Sequence, residues 1–176
     1  KAGSTVVLQD ITDEFVQKGL ARVQAFLQKG VDRGKTTEAV RDEVLSRITI
    51  TSDRKEAATG ADLVVEAVPE KLELKNGLFR ELADIVSATC VLGSNTSSLS
   101  LAKVFEGVAN PERCIGMHFF NPVPLMKLLE LVRTDATSQA TIDSVTVYSK
   151  QLSKEPIVVK DSPGFASSRL GVCLGL

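Results

Sequence analysis

His118 is the only histidine in the chain, and it stands just ahead of a strand-like run that carries Glu130, within the segment HFFNPVPLMKLLE. A histidine held by a carboxylate can take and return a proton near neutral pH, because the partner fixes the ring tautomer and favours the charged form. Read without context, the same two residues more readily describe a satisfied loop or core histidine and an exposed strand-end charge. Asp10 closes the run TVVLQD. A carboxylate at the end of a strand can accept hydrogen bonds from a ribose diol, or it can cap the next helix, a role open to Thr12 and Asp13 as well. The ribose option favours NAD over NADP, since the charge would repel a 2′-phosphate and the following Ile11-Thr12 offers no arginine to accept one.

Two further loops follow strand-like runs. AVPEKLELK (67–75) turns at Pro69 into a helix, so backbone groups at Ala67 could meet a ligand with Glu70 and Lys75 flanking it. The simpler alternative is a Glu-rich first turn that complements the helix dipole. SNTSSL (94–99) gathers hydroxyls and the Asn95 amide at a strand-to-helix junction, where unpaired backbone N–H groups point outward. One such residue suffices for a cap, and the surplus favours a polar binding loop. Ser97 as a hydrolytic nucleophile lacks the G-x-S-x-G setting and would need His118 as its base. One histidine without metal-spaced carboxylates supplies too few ligands for a metal site, so none is expected.

These residues need elements to hold them. Short apolar, β-branched runs recur at 5–10, 61–68, 89–95, 113–119, 127–132 and 156–161, with helical patterns near 13–29, 36–46, 71–86, 98–106 and 138–152. In the last helix Ile142, Val145 and Leu152 share a face. The alternation predicts an α/β doubly wound sheet of mainly parallel strands, with ligands beyond the strands' carboxyl ends. DSPGF (161–165) reads as a hinge into a final helix.

The 176 residues, 43% hydrophobic with mean hydropathy +0.08, suffice for one domain with a sizeable core. A net charge of −1 and pI near 5.9 argue against nucleic-acid and anionic-membrane partners. Cys90, Cys114 and Cys173 are widely spaced and odd in number, which gives neither a disulfide framework nor a zinc site and points to a reducing, cytoplasmic compartment. No apolar stretch reaches the roughly 20 residues of a membrane span. The chain opens on Lys1 and closes on GVCLGL in a helical pattern, so a targeting segment could lie outside it.

Together VVLQD, DLVVEAVPEKLELKNGLF, SNTSSL, GMHFFNPVPLMKLLELV and KDSPGF-xx-xRL resemble the L-3-hydroxyacyl-CoA dehydrogenase family, and within it the short-chain 3-hydroxybutyryl-CoA dehydrogenases, over essentially the whole chain. The resemblance implies a Rossmann-like NAD-binding domain over 1–162 and the start of a helical substrate and dimerisation domain over 163–176. It also implies a homodimer at full length and a role in fatty acid metabolism, β-oxidation included. The first strand and glycine loop are then expected to precede this chain, and strands next to the missing central one should lack a ladder partner. By position, His118 becomes the catalytic base with Glu130 as its orienting partner. Ser97, Asn121 and Ser168 lie toward the acyl-CoA substrate, and Ser97 also belongs to the catalytic set. Asp10, Ala67, Glu70, Lys75, Asn95, Ser97 and Asn121 lie toward the NAD cofactor, with Arg33 or Lys35 as CoA contacts. The family pattern PGFxxNRL departs here to PGFASSRL, placing Ser168 where the asparagine stands. Two other readings remain open at this point: a catalytically silent NAD- or acyl-CoA-binding module, and a related hydroxyacid dehydrogenase.

Overall fold

The computed structural model describes residues 2–167 and residue 169, so Ser168 and most of the final helix expected from the sequence lie outside the described residues. The chain forms two compact units, Lys1–Thr59 and Gly60–Leu176.

In the first unit β1 (Val6–Gln9) pairs in parallel with β2 (Ile48–Thr51), and among the described residues the two form a sheet of their own. Between them run α1 (Asp13–Asp32) and α2 (Glu38–Ser46), and α3 (Arg54–Ala58) follows β2. Thr12 starts α1: its hydroxyl accepts the Phe15 amide, and Asp13 and Glu14 supply negative charge to the first turn. The helix buries Val16 and Leu27, and Gly19 lets Leu8 of β1 approach to where a Cβ would stand 3.0 Å from its Cδ2. Neither β2 nor α3 is among the elements expected from the sequence. ITIT is four residues of alternating apolar and polar character, and its identity as a strand comes from its ladder with β1.

The second unit is a five-stranded sheet in the order β3-β4-β5-β6-β7. Its strands are β3 (Leu63–Glu66), β4 (Val91–Ser94), β5 (Cys114–Phe119), β6 (Leu128–Arg133) and β7 (Glu155–Lys160). Helices α4 (Leu72–Ile85), α5 (Leu101–Val104) and α6 (Gln139–Gln151) make the connections. Ladders are parallel except β5 with β6, which is antiparallel. The short connection after Phe119 cannot make a parallel crossover, which needs a dozen residues or more, so β6 turns straight back. The core joins Val91, Ile115, Met117, Leu129 and Leu131 of the sheet to Ile142 and Val145 of α6. Gly116 is required at the sheet face: an added Cβ would lie 2.5 Å from Leu101 Cδ1 and 2.9 Å from Val132 Cβ.

Candidate functional site

The reversal between β5 and β6 brings His118 and Glu130 together. In the antiparallel register His118 lies directly opposite Glu130, and cross-strand partners project from the same face about 5 Å apart at Cβ. The side chains meet with Nδ1 2.7 Å from Oε2. Glu130 is wholly buried and His118 6% exposed, so bulk water contributes little to either. Burial alone would raise the Glu130 pKa, yet hydrogen bonds from His118 and from the side chain and amide of Ser167 outweigh it and hold the carboxyl below its ordinary value. An ionised carboxylate only accepts, so the proton between them belongs to Nδ1, and Nε2 of the neutral ring keeps its lone pair.

The ring sits between two aromatic neighbours, Phe120 with its centroid 4.5 Å away and Phe165 at 5.8 Å in an edge contact. Phe165 arrives from the DSPGF turn. It holds φ of 47° after Gly164 at 73°, a left-handed conformation unfavourable for a bulky side chain, and its own side chain is 2% exposed. The segment after it donates to Glu130: the Ala166 and Ser167 amides reach Oε1 at 3.1 and 2.9 Å, and Ser167 Oγ reaches Oε2 at 2.8 Å. The DSPGF turn therefore closes over the dyad. Ser167 was not among the expected site residues, because nothing in local sequence marks a serine that meets Glu130 only through the fold.

A second network lies at the ends of β3 and β4. Glu66 at the end of β3 accepts from Lys75 Nζ at 2.6 Å, from the Val68 amide at 2.6 Å and from Ser94 Oγ at 2.7 Å. Lys75 is 1% exposed and also reaches Val68 O at 3.1 Å and Glu70 Oε2 at 3.2 Å. Glu70 in turn accepts from Thr96 Oγ1 and from the amides of Ser97 and Ser98 at 3.0 and 3.3 Å. Burial pushes its pKa up, but hydrogen bonds from Thr96, Ser97 and Lys75 prevail and lower it.

The surplus of hydroxyls in SNTSSL is thus largely spent within the protein. Ser94 binds Glu66, Thr96 and Ser98 bind Glu70, and beyond the run Ser100 binds Asp161. Ser97 and Ser98 are the exposed members, and the amide of each donates to Glu70. Asn95 Oδ1 accepts the Phe119 amide at 2.9 Å, tying this loop to the residue after His118. Asp161 Oδ2 also accepts the Ala102 amide at 2.9 Å, which links the DSPGF turn to the same loop. Ala67 is exposed beside the network, and Asn121 is exposed at the turn after β5, where it forms a cis peptide bond with Pro122.

Asp10 stands in the first unit, exposed at the end of β1. Thr12 makes the α1 cap, so Asp10 is released from that role. Its Oδ1 accepts the Ile11 amide at 2.7 Å, which orients the carboxylate and leaves Oδ2 for hydroxyl donors such as a ribose diol. The residues present fit the ribose end of NAD in this respect. Arg33 and Lys35 lie at the exposed turn after α1. Cys90 and Cys114 are free and buried, with burial pushing the Cys114 thiol up to about 12, which makes it a poor nucleophile. Among the described residues no cluster of three metal-ligating side chains occurs, and no helix is long and apolar enough to cross a membrane.

Comparison with known proteins gives a consistent result. Residues 1–162 match the family model described as 3-hydroxyacyl-CoA dehydrogenase, NAD binding domain. The mitochondrial hydroxyacyl-coenzyme A dehydrogenase of Homo sapiens is 38% identical over 174 residues, covering 96% of this chain and 55% of the human protein. The crystal structure of (S)-3-hydroxybutyryl-CoA dehydrogenase from Ralstonia eutropha superimposes with a TM-score of 0.93 at 41% identity, covering 96% of this chain and 59% of that one. The 3-hydroxybutyryl-CoA dehydrogenase of Escherichia coli gives 0.94 at 36% identity, covering 97% of this chain and 36% of that one. The chain spans about half the length of the human relative it matches.

Proposed function

This chain belongs to the 3-hydroxyacyl-CoA dehydrogenase family through that family's NAD-binding domain, and we propose that the whole protein reversibly oxidises an (S)-3-hydroxyacyl-CoA to the 3-ketoacyl-CoA in fatty acid or short-chain acyl-CoA metabolism. The observation that carries this reading is the buried His118–Glu130 pair, with Nδ1 fixed at 2.7 Å from the carboxylate. NAD, when bound, supplies the acceptor for the hydride leaving C3 of the substrate. The protein supplies the proton acceptor. His118 Nε2 takes the hydroxyl proton as the C3 hydride departs, and Glu130 stabilises the imidazolium that results. In the reverse direction the imidazolium returns that proton to the developing alkoxide.

The other residues are assigned around this step. Ser97 and Asn121 hold the acyl-CoA and the nicotinamide end, and Ser168 belongs to the substrate side. Asp10 accepts from the adenosine ribose, while Ala67, Glu70 and Asn95 shape the cofactor-facing loops. Lys75 has its ammonium group engaged by Glu66, Val68 and Glu70, so its part is to fasten the loop that carries Glu70. Residues 1–162 act as the cofactor domain, with 163–176 assigned to the substrate domain. The full-length protein acts as a homodimer in the cytoplasm. The deciding experiment is His118→Gln in the whole protein, assayed by acetoacetyl-CoA-dependent NADH consumption. Turnover should fall by about 10²- to 10⁴-fold, the usual contribution of a general base. Turnover near that of the unsubstituted protein would overturn the reading.

A further inference from the structure

Glu130 Oε2 receives two side-chain donors, His118 Nδ1 at 2.7 Å and Ser167 Oγ at 2.8 Å. We propose that Ser167 is a positioning residue of this pair, its hydroxyl dividing the charge of Oε2 and so setting how strongly the carboxylate holds the imidazole. The proposal rests on the proton-transfer reading above and adds a residue to it. The pattern PGFxxNRL leaves this position open, and this chain's PGFASSRL fills it with a serine.

The hydroxyl is not needed to keep the carboxylate in place. Oε1 already accepts the amides of Ala166 and Ser167, which fix the plane of the group from the DSPGF side, and β6 fixes it from the other. A carboxylate oxygen has two lone pairs and can take both side-chain donors, but each draws on the same negative charge. The surroundings keep that competition undiluted. His118 from β5 is the ionisable partner that Glu130 meets, β7 sets Ile157 beside it, and Phe120 and Phe165 close on the ring. Within that apolar shell a hydrogen bond counts for more than it would in water. The depressed Glu130 pKa, to which the Ser167 hydroxyl contributes, agrees with charge being drawn from the carboxylate.

The test compares Ser167→Ala and Ser167→Thr in the whole protein by proton NMR of the His118 Nδ1–H, identified by its loss in His118→Gln. Without the hydroxyl, Oε2 is left to the imidazole alone. The resonance of Ser167→Ala should then move to lower field, while Ser167→Thr retains the original position. The acid limb of kcat/KM for oxidation should move upward in Ser167→Ala by on the order of half a pH unit, a fraction of a charge-assisted hydrogen bond passed on to the ring. A resonance and limb unchanged in Ser167→Ala, or moved the opposite way, would overturn the proposal. Ser167→Val against Ser167→Thr repeats the comparison at matched volume if alanine disturbs the fold. An inactive His118→Gln beside a silent Ser167→Ala sinks the Ser167 assignment alone, whereas an active His118→Gln removes the dyad reading itself.

Discussion

With Glu130 ionised, the shared proton resides on His118 Nδ1, and Nε2 of the neutral ring keeps its lone pair. Two consequences were open to reading from residue types: that a lone histidine beside a strand carboxylate could act as a base, and that Asp10 could receive a ribose. The structure overturns part of each simpler alternative: Glu130 is not an exposed strand-end charge, and Asp10 is not the α1 cap. His118 and Glu130 are buried and paired rather than separate, and Thr12 rather than Asp10 caps α1. An expected outcome follows for Asp10. Asp10→Ala in the whole protein should weaken NAD binding by about 10- to 100-fold, since one or two hydrogen bonds to a charged acceptor contribute about 1.5–3 kcal/mol. Isothermal titration with NAD measures this. Unchanged affinity would return Asp10 to the role of a surface turn residue. Ser167 was illegible at this scale, because its partner lies on another strand and its neighbours in sequence give no sign of the contact.

Elements position these residues through their ends. Each of β3, β4 and β5 delivers a candidate-site segment at or near its carboxyl end, and side-chain bonds rather than ladder bonds tie those segments together: Glu66 to Ser94, Glu70 to Thr96 and Ser97, Asn95 to Phe119. The Glu66–Lys75 pair lies at the root of this system, with side chains 0% and 1% exposed. Removing one member leaves the other charge buried and uncompensated, at a cost of about 3–5 kcal/mol. Lys75→Met should therefore lower unfolding stability by about that amount in urea titration. The double variant Lys75→Met/Glu66→Gln should recover much of the loss, because the stranded charge is gone. Equal stability of the single and double variants would show that the ion pair is not what holds this corner. The strands β1 and β3 to β7 and the longer helices were legible from apolar runs and helical spacing. β2 was not, since four alternating residues become a strand only against β1. The antiparallel turn to β6 was hidden by an apolar composition that suits parallel strands, although the short connection after Phe119 implied it.

At the scale of the molecule, two buried or half-buried carboxylates share one electrostatic logic. Glu130 and Glu70 are both held below their ordinary pKa by hydrogen bonds that outweigh burial. A group whose folded pKa is depressed binds its proton more readily in the unfolded chain, so it adds stability above the unfolded value and loses it as pH falls through the folded one. The protein should accordingly be stable at neutral pH and weaken below the ordinary carboxylate range, where protonation also slackens Glu130's hold on Ala166 and Ser167 and so on the DSPGF turn. Glu130→Gln has no such proton to gain. Its urea midpoint should change less between pH 7 and pH 4 than that of the unsubstituted protein, while starting lower at pH 7. Glu70→Gln, whose parent side chain is 39% exposed, should show the same sign with a smaller amplitude because solvent screens it. If the Glu130→Gln protein lost stability on acidification as steeply as its parent, the acid sensitivity would have to originate in other carboxylates, and the turn over the dyad would not depend on Glu130's charge.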